Sequence, residues 1–127
     1  MNDMQPKILI IDDDAASLAL VKAALSQGQY DNVDAFLNST EGQKSYLEND
    51  YDILITDLRM PVLSGFDIIT EVQNTLKNKP GIIVLTAQAE SDSAQRALDM
   101  GAQKVFFKPY KVAELLDAVD GLLAARI

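Results

Sequence analysis

The sequence predicts a doubly wound α/β domain, in which helices cover both faces of a parallel β-sheet. Five apolar segments alternate along the chain with five segments of helical periodicity. Three of the apolar segments, 7–12, 51–57 and 81–86, lack the polar alternation of a half-exposed strand, so both of their faces must be covered. Right-handed crossovers through the intervening helices then lead to the doubly wound arrangement.

The first predicted strand and helix lie at the start of the chain. Residues 7–12, KILIID, place four consecutive Ile or Leu residues before an acid, which is typical of a strand buried on both faces. Residues 15–27 repeat apolar side chains at helical spacing, and Gly28 is a suitable end for that helix.

The second strand and helix have weaker signals. Residues 32–36, NVDAF, alternate only weakly between apolar and polar, which predicts a short strand near a sheet edge. Residues 39–48 predict a helix, for which Ser39 or Thr40 is the expected N-cap.

The second half of the chain predicts three more strands and three more helices. Residues 51–57 and 81–86 are the continuous apolar strands already noted, and 104–108, KVFFK, is a shorter fifth strand. The helices share apolar residues three and four positions apart, and they cover residues 65–77, 91–100 and 111–125. In the second of these helices, Ala94, Ala97 and Leu98 are expected to face the core.

Composition excludes several classes of function. The chain has 127 residues, 48% apolar and 24% charged, so one globular domain covering 1–127 is expected. The net charge of −8 argues against direct nucleic-acid binding. The lack of cysteine and histidine excludes thiolate or imidazole metal sites and imidazole acid–base catalysis. No membrane-spanning run or secretory signal is recognisable, so a cytoplasmic location is expected.

Polar residues collect where the predicted strands end. The first strand ends in Asp12, Asp13 and Asp14, the third in Asp57, the fourth in Thr86 and the fifth in Lys108. Ligands of such folds bind beyond the carboxyl ends of the strands, where these side chains would meet. Each residue alone has an ordinary explanation, such as a helix cap or a solvated surface charge. Their convergence on one edge favours a functional site.

The residue types of this cluster suit phosphoryl chemistry with a divalent cation. Crowded carboxylates raise one another's pKa or require a cation. Oxygen ligands with room for water suit Mg²⁺, and a divalent ion beside a carboxylate suits phosphoryl transfer. Asp57 would then be a nucleophile, since carboxylates form acyl-phosphates, while Lys108 supplies positive charge and Thr86 a hydroxyl donor.

Four short motifs together resemble a known family. They are IIDDD at 10–14, TDLRMP at 56–61, LTA at 85–87 and FKP at 107–109. In this order, at the ends of four predicted strands, they resemble the receiver domain of two-component response regulators, especially the chemotaxis type, over essentially the whole chain. The resemblance implies a flavodoxin-like fold with five helices and strand order 2-1-3-4-5.

The resemblance also implies a role for each site residue. Asp57 resembles the phosphoacceptor, which takes a phosphoryl group from a phosphohistidine on a sensor histidine kinase or a histidine phosphotransfer protein. Thr86 resembles the hydroxyl that moves to the phosphoryl group, and Lys108 the lysine that pairs with it, beside a cis bond to Pro109. The implied Mg²⁺ site consists of Asp13 and Asp57, the backbone carbonyl of Arg59, and Asp12, which in the family usually acts through a bound water.

A protein of this kind is a signalling phosphoacceptor rather than an enzyme with a separate substrate. Its own chemistry is limited to self-phosphorylation and autodephosphorylation. Phosphorylation is expected to switch a protein–protein interaction surface formed by residues 91–125, where an unknown downstream protein binds. Both a monomer and a phosphorylation-dependent dimer agree with this interpretation.

One position departs from the family's pattern. Three residues before Lys108 the family commonly has Tyr or Phe, whose ring moves inward as the threonine moves, but this chain has Val105. Strand alternation places Phe107 on the same face as Val105 and Phe106 on the other. Because valine has a stiff χ1 and no ring, position 105 is unsuited to the usual coupling.

Arg59 and Gln88 occupy positions that line the path of the attacking water in the family. They are expected to shield the acyl-phosphate, to orient that water, or to remain solvated.

Three alternatives stay open. Asp12 and Asp14 also resemble the acid pair of haloacid-dehalogenase phosphatases. The chain would otherwise serve as a constitutive, non-phosphorylated interaction module, or as a phosphate shuttle or sink with the same chemistry and no output.

Overall fold

A computed structural model describes residues 5–87 and 91–126. Within them, strands and helices alternate as the sequence predicts. In chain order the elements are β1 (Ile8–Ile11), α1 (Ala15–Gln27), β2 (Val33–Phe36), α2 (Ser39–Glu48), β3 (Ile53–Thr56), α3 (Gly65–Thr75), β4 (Gly81–Thr86), α4 (Ser91–Met100), β5 (Lys104–Phe107) and α5 (Val112–Ala124). None of these helices is long and apolar enough to cross a membrane.

The strands form one parallel sheet in the order β2-β1-β3-β4-β5, which confirms the expected doubly wound fold and strand order. The register aligns Ile11 of β1 with Thr56 of β3, so these two central strands end side by side. β4 runs two residues further and aligns Thr86 with Phe107 of β5.

The strand ends define two edges of the sheet. The carboxyl edge carries the residues that follow the strands, which are 12–14, 37–38, 57–64, 87 and 108–111. The amino edge carries the residues that precede them, which are 5–7, 30–32, 51–52, 79–80 and 103. Because all strands are parallel, every strand delivers its last residue to the carboxyl edge.

Two hydrophobic clusters cover the two faces of the sheet. Helices α2, α3 and α4 pack on one face around Tyr46, Ile69 and Ala97, and helices α1 and α5 pack on the other around Leu25 and Val119. Successive apolar side chains of β1, β3 and β4 belong alternately to the two clusters, and all residues of these strands are buried. This double burial explains the continuous apolar runs, since each buried aliphatic side chain contributes roughly 1.5–3 kcal/mol.

Local details differ from the sequence predictions. The N-cap of α2 is Asn38, whose side-chain oxygen accepts hydrogen bonds from two amides of the first turn, rather than Ser39 or Thr40. Ser39 is instead buried against the segment before α3. Leu98 is 40% exposed, because the fully buried Ala97 holds α4 against the sheet and the next residue is rotated by about 100°. Several predicted elements are one or two residues too long at an end.

Candidate functional site

The residues after β1 and β3 bring three carboxylates together. The backbone amide of Asp57 donates to the carbonyl of Ile11 (3.2 Å), which continues the β1–β3 pairing by one residue. Asp12 is only 3% exposed, and Asp13 beside it is exposed. One oxygen from each of Asp12, Asp13 and Asp57 lies within 4.8 Å of the others. Carboxylate oxygens this close are suited to sharing a hard divalent cation.

Lys108 joins two of these carboxylates. Its ammonium Nζ donates to Asp12 Oδ2 at 2.7 Å and to Asp57 Oδ2 at 3.1 Å. Its backbone amide donates to the carbonyl of Thr86 (2.9 Å), so the β4–β5 pairing continues beyond Phe107 and positions the lysine. The peptide bond between Lys108 and Pro109 is cis, as the resemblance implied. The three carboxylates and this ammonium therefore form one cluster.

The charges of this cluster do not cancel. Burial raises the pKa of Asp12, against the lowering effect of its hydrogen bonds with Lys108 and the Asp14 amide. Burial alone would lower the pKa of Lys108, but its hydrogen bonds to Asp12 and Asp57 raise it above the ordinary value. Three carboxylates against one ammonium leave a formal charge of 3 − 1 = 2 negative units. An additional cation would relieve this imbalance.

Asp57 is anchored by the chain that follows it. Its Oδ1 accepts a hydrogen bond from the amide of Leu58 (2.6 Å), and its side chain is 13% exposed. The amide of Gly65, the first residue of α3, donates to the carbonyl of Leu58 (2.8 Å). A Cβ at position 65 would lie 2.3 Å from the Asp57 carbonyl oxygen, so only glycine allows α3 to start this close to the acid.

The other predicted site residues lie around this cluster. Thr86 is buried at the end of β4, the strand between β3 and β5. Arg59 is exposed two residues beyond Asp57, directly after the buried Leu58. Gln88 lies outside the described residues.

Val105 and Phe106 of β5 lie on opposite faces of the sheet, as predicted. Val105 is half-buried against the cluster of α2, α3 and α4, and Phe106 packs into the cluster of α1 and α5. Phe107 is 42% exposed and is aligned with Thr86 in the sheet. The ring nearest to Thr86 along β5 is thus one residue before Lys108, not three.

Sequence reasoning missed Ser17. Its hydroxyl oxygen accepts a hydrogen bond from Lys108 Nζ (3.2 Å), and the hydroxyl donates to Asp14 Oδ2 (3.0 Å). Asp14 is the N-cap of α1. A serine three residues after an N-cap acid faces back toward the strand ends, and this spacing was the available signal. Ser17 therefore extends the hydrogen-bonded cluster from β5 to α1.

Comparison with known proteins gives one consistent result. The model of the response regulator receiver domain matches residues 8–120. The chain is 30% identical over 120 residues to a probable chemotaxis protein CheY of Rhizobium etli, with 94% of this chain and 93% of that protein covered. A solved receiver domain protein from Clostridium thermocellum superposes with a TM-score of 0.86 at 32% identity, covering 95% of this chain and 96% of that one.

Longer relatives match over part of their length. The transcriptional regulatory protein PrrA of Mycobacterium tuberculosis is 31% identical over 121 residues, which cover 95% of this chain and 51% of that protein. The chain thus spans about half the length of these longer regulatory proteins.

Proposed function

The chain belongs to the response regulator receiver domain family, and on that premise we propose that Asp57 is its phosphoacceptor. One observation carries the proposal: Lys108 Nζ contacts both Asp12 and Asp57, in a cluster that also includes the carboxylate of Asp13. Family membership also argues against the phosphatase alternative. We propose that the chain functions as a signalling phosphoacceptor, with no separate substrate to turn over.

The proposed transfer is a single displacement. A carboxylate oxygen of Asp57 attacks the phosphorus of a phosphohistidine on a histidine kinase or a phosphotransfer protein. The new O–P bond forms as the P–N bond breaks, and the electron pair of that bond returns to the imidazole nitrogen. Water later cleaves the acyl-phosphate, which releases inorganic phosphate and restores the carboxylate. Lys108 lies close enough to Asp57 to pair with the incoming phosphoryl oxygens.

The acidic cluster fits a Mg²⁺ ion. Asp12, Asp13 and Asp57 offer three hard oxygen ligands within 4.8 Å, and the exposed Asp13 leaves that side open to water ligands. Family likeness adds the backbone carbonyl of Arg59. When bound, the ion would neutralise charge shared by the carboxylates and the phosphoryl oxygens.

The proposed output surface consists of residues 91–125, which include α4, β5 and α5. The hydroxyl of Thr86 would move to the phosphoryl group and change the β4–β5 end of this surface. Phe107 is exposed and is aligned with Thr86. We propose that its ring responds to that change, because Val105 has no ring that could do so. The second candidate, a phosphate shuttle or sink without output, is favoured by Val105 alone.

Intact mass spectrometry tests the proposed chemistry. After incubation with acetyl phosphate and Mg²⁺, the wild type should gain one phosphoryl group. Asp57→Asn should gain none, and neither should the wild type in EDTA. Asp99→Asn, which removes an exposed acid of α4, is the matched control and should label like the wild type. Labelling of Asp57→Asn at the wild-type level would refute the assignment.

A further inference from the structure

A small apolar surface lies on the carboxyl edge beside the acidic cluster. It is formed by Leu37, Pro61 and Val62, and we call these three residues the apolar corner. Leu37 is 49% exposed, Val62 is 81% exposed, and Pro61 is exposed as well. Leu37 follows β2, and the other two residues lie between β3 and α3.

Ser39 holds the two halves of the apolar corner together. Its hydroxyl donates to the carbonyl of Pro61 (2.8 Å) and accepts from the amide of Leu63 (3.2 Å). Ser39 itself is only 4% exposed, so these hydrogen bonds are shielded from water. The residue between the two bonded groups is Val62. Its position is therefore set by a buried tie to α2 and not by its own packing.

The backbone at Val62 is unusual. Its φ angle is 70°, in the left-handed region that β-branched residues rarely adopt. Glycine or asparagine would fit there with less strain. The valine side chain gains little in return within the chain, because 81% of it is exposed. The hydrogen bond from the Leu63 amide to the Pro61 carbonyl (2.8 Å) closes this turn within the chain, and Ser39 bonds to the same two groups. The turn accounts for the backbone but not for an exposed valine, whose side chain is available for contact with another protein.

The apolar corner is also depleted of charge. The two contributing stretches, 36–40 (FLNST) and 60–64 (MPVLS), contain no charged residue, whereas 24% of the whole chain is charged. Uncharged apolar groups beside a polar site are typical of the buried centre of a protein–protein interface. A small anionic phosphodonor has no apolar surface that could pack against these residues.

The position of the corner identifies its partner. The loop that carries Pro61 and Val62 begins directly after Asp57 and closes where the Gly65 amide meets the Leu58 carbonyl. A histidine on another protein can reach Asp57 only if the surface around that histidine covers this edge. Relying on the proposed function of Asp57, we propose that the apolar corner is a docking contact for the protein that donates the phosphoryl group.

Transfer kinetics test this proposal. The histidine kinases of the organism that encodes the chain are autophosphorylated with ATP, and its histidine phosphotransfer proteins are phosphorylated by those kinases. The kinase or phosphotransfer protein that labels the wild type fastest is chosen as the donor. Val62→Asn and Leu37→Asn should each lower kcat/KM for transfer from that donor about tenfold, chiefly through KM. Leu47→Gln is the matched control, since Leu47 is 46% exposed at the far end of α2, and it should transfer like the wild type.

Two further measurements separate docking from folding and from chemistry. Val62→Asn and Val62→Gly accept the left-handed backbone, so both should unfold at a urea concentration at least as high as the wild type. Both variants should also label normally with acetyl phosphate. Wild-type transfer rates from the donor in Val62→Asn and Leu37→Asn would overturn the docking role. So would a panel of kinases and phosphotransfer proteins that leaves the wild type unlabelled while acetyl phosphate labels it. Failure of acetyl phosphate on the wild type would instead refute the phosphoacceptor proposal.

Discussion

The two edges of the sheet carry charged residues in opposite ways. At the amino edge, Asp52 accepts a hydrogen bond from the backbone amide of Lys7 (2.9 Å) and lies 3.7 Å from the guanidinium of Arg126. The Asp52–Arg126 pair is more than one-third exposed on both sides, at 41% and 35%. At the carboxyl edge, Asp12 is almost fully buried, and Lys108 forms ion pairs with both Asp12 and Asp57.

This difference separates ordinary surface charge from a site. Exposed, balanced pairs contribute little because water screens them and their side chains remain mobile. Buried, unbalanced charges reduce stability unless a partner or an ion compensates them. The same parallel strands support both arrangements. The buried, unbalanced charges lower the stability of the protein at the carboxyl edge, whereas the exposed pair at the amino edge does not.

The largest effect should come from removing the cation of the carboxyl edge. Lys108→Met should lower the free energy of unfolding by about 3 kcal/mol without Mg²⁺, because it leaves the buried Asp12 carboxylate unpaired. Urea denaturation of both proteins measures the change. Arg126→Met is the matched control at the amino edge and should change stability by less than about 0.5 kcal/mol. Equal losses in the two variants would erase the contrast between the edges.

A smaller effect should come from adding a cation. At a Mg²⁺ concentration ten times its dissociation constant, the wild type should gain about 1.4 kcal/mol of unfolding free energy. Asp13→Asn removes one of the three converging oxygens and should gain much less at the same concentration. Thermal unfolding with and without Mg²⁺ measures both gains. An equal gain in the variant would show that Asp13 is not a ligand.

The smallest effect should be a loss of stability at alkaline pH that originates at the amino edge. Burial and a hydrogen bond to Asp34 (2.5 Å) raise the pKa of Tyr51 to about 12. Because the folded state favours the neutral phenol, this stabilising contribution is complete below pH 10 and disappears as the pH rises towards 12.

Tyr51→Phe tests this response by urea denaturation at pH 8 and pH 11. The wild type should lose about 1 kcal/mol more than the variant between these two values. Parallel losses in both proteins would mean that Tyr51 ionisation does not contribute to the alkaline change.

Much of the architecture was accessible from the sequence. Continuous apolar runs such as Ile8–Ile11 and Ile53–Thr56 report burial on both faces, which only a parallel sheet between two helix layers provides. The placement of Asp12, Asp57 and Lys108 at one edge follows from that topology, because parallel strands all end on the same side. Periodicity is a local property of the chain, so it predicts elements well and their last residues poorly.

The tertiary structure decided which side chains pair with one another. Lys108 bonds to Asp12 across 96 positions of sequence, and its contact with Ser17 spans 91, so no local pattern could pair them. The buried hydrogen bonds of Ser39 to the segment before α3 likewise join groups that lie 22 and 24 positions apart in the chain. The sequence determined which chemistry reaches the carboxyl edge, and strand register and helix packing decided which groups touch there, because those contacts depend on residues far apart in the chain.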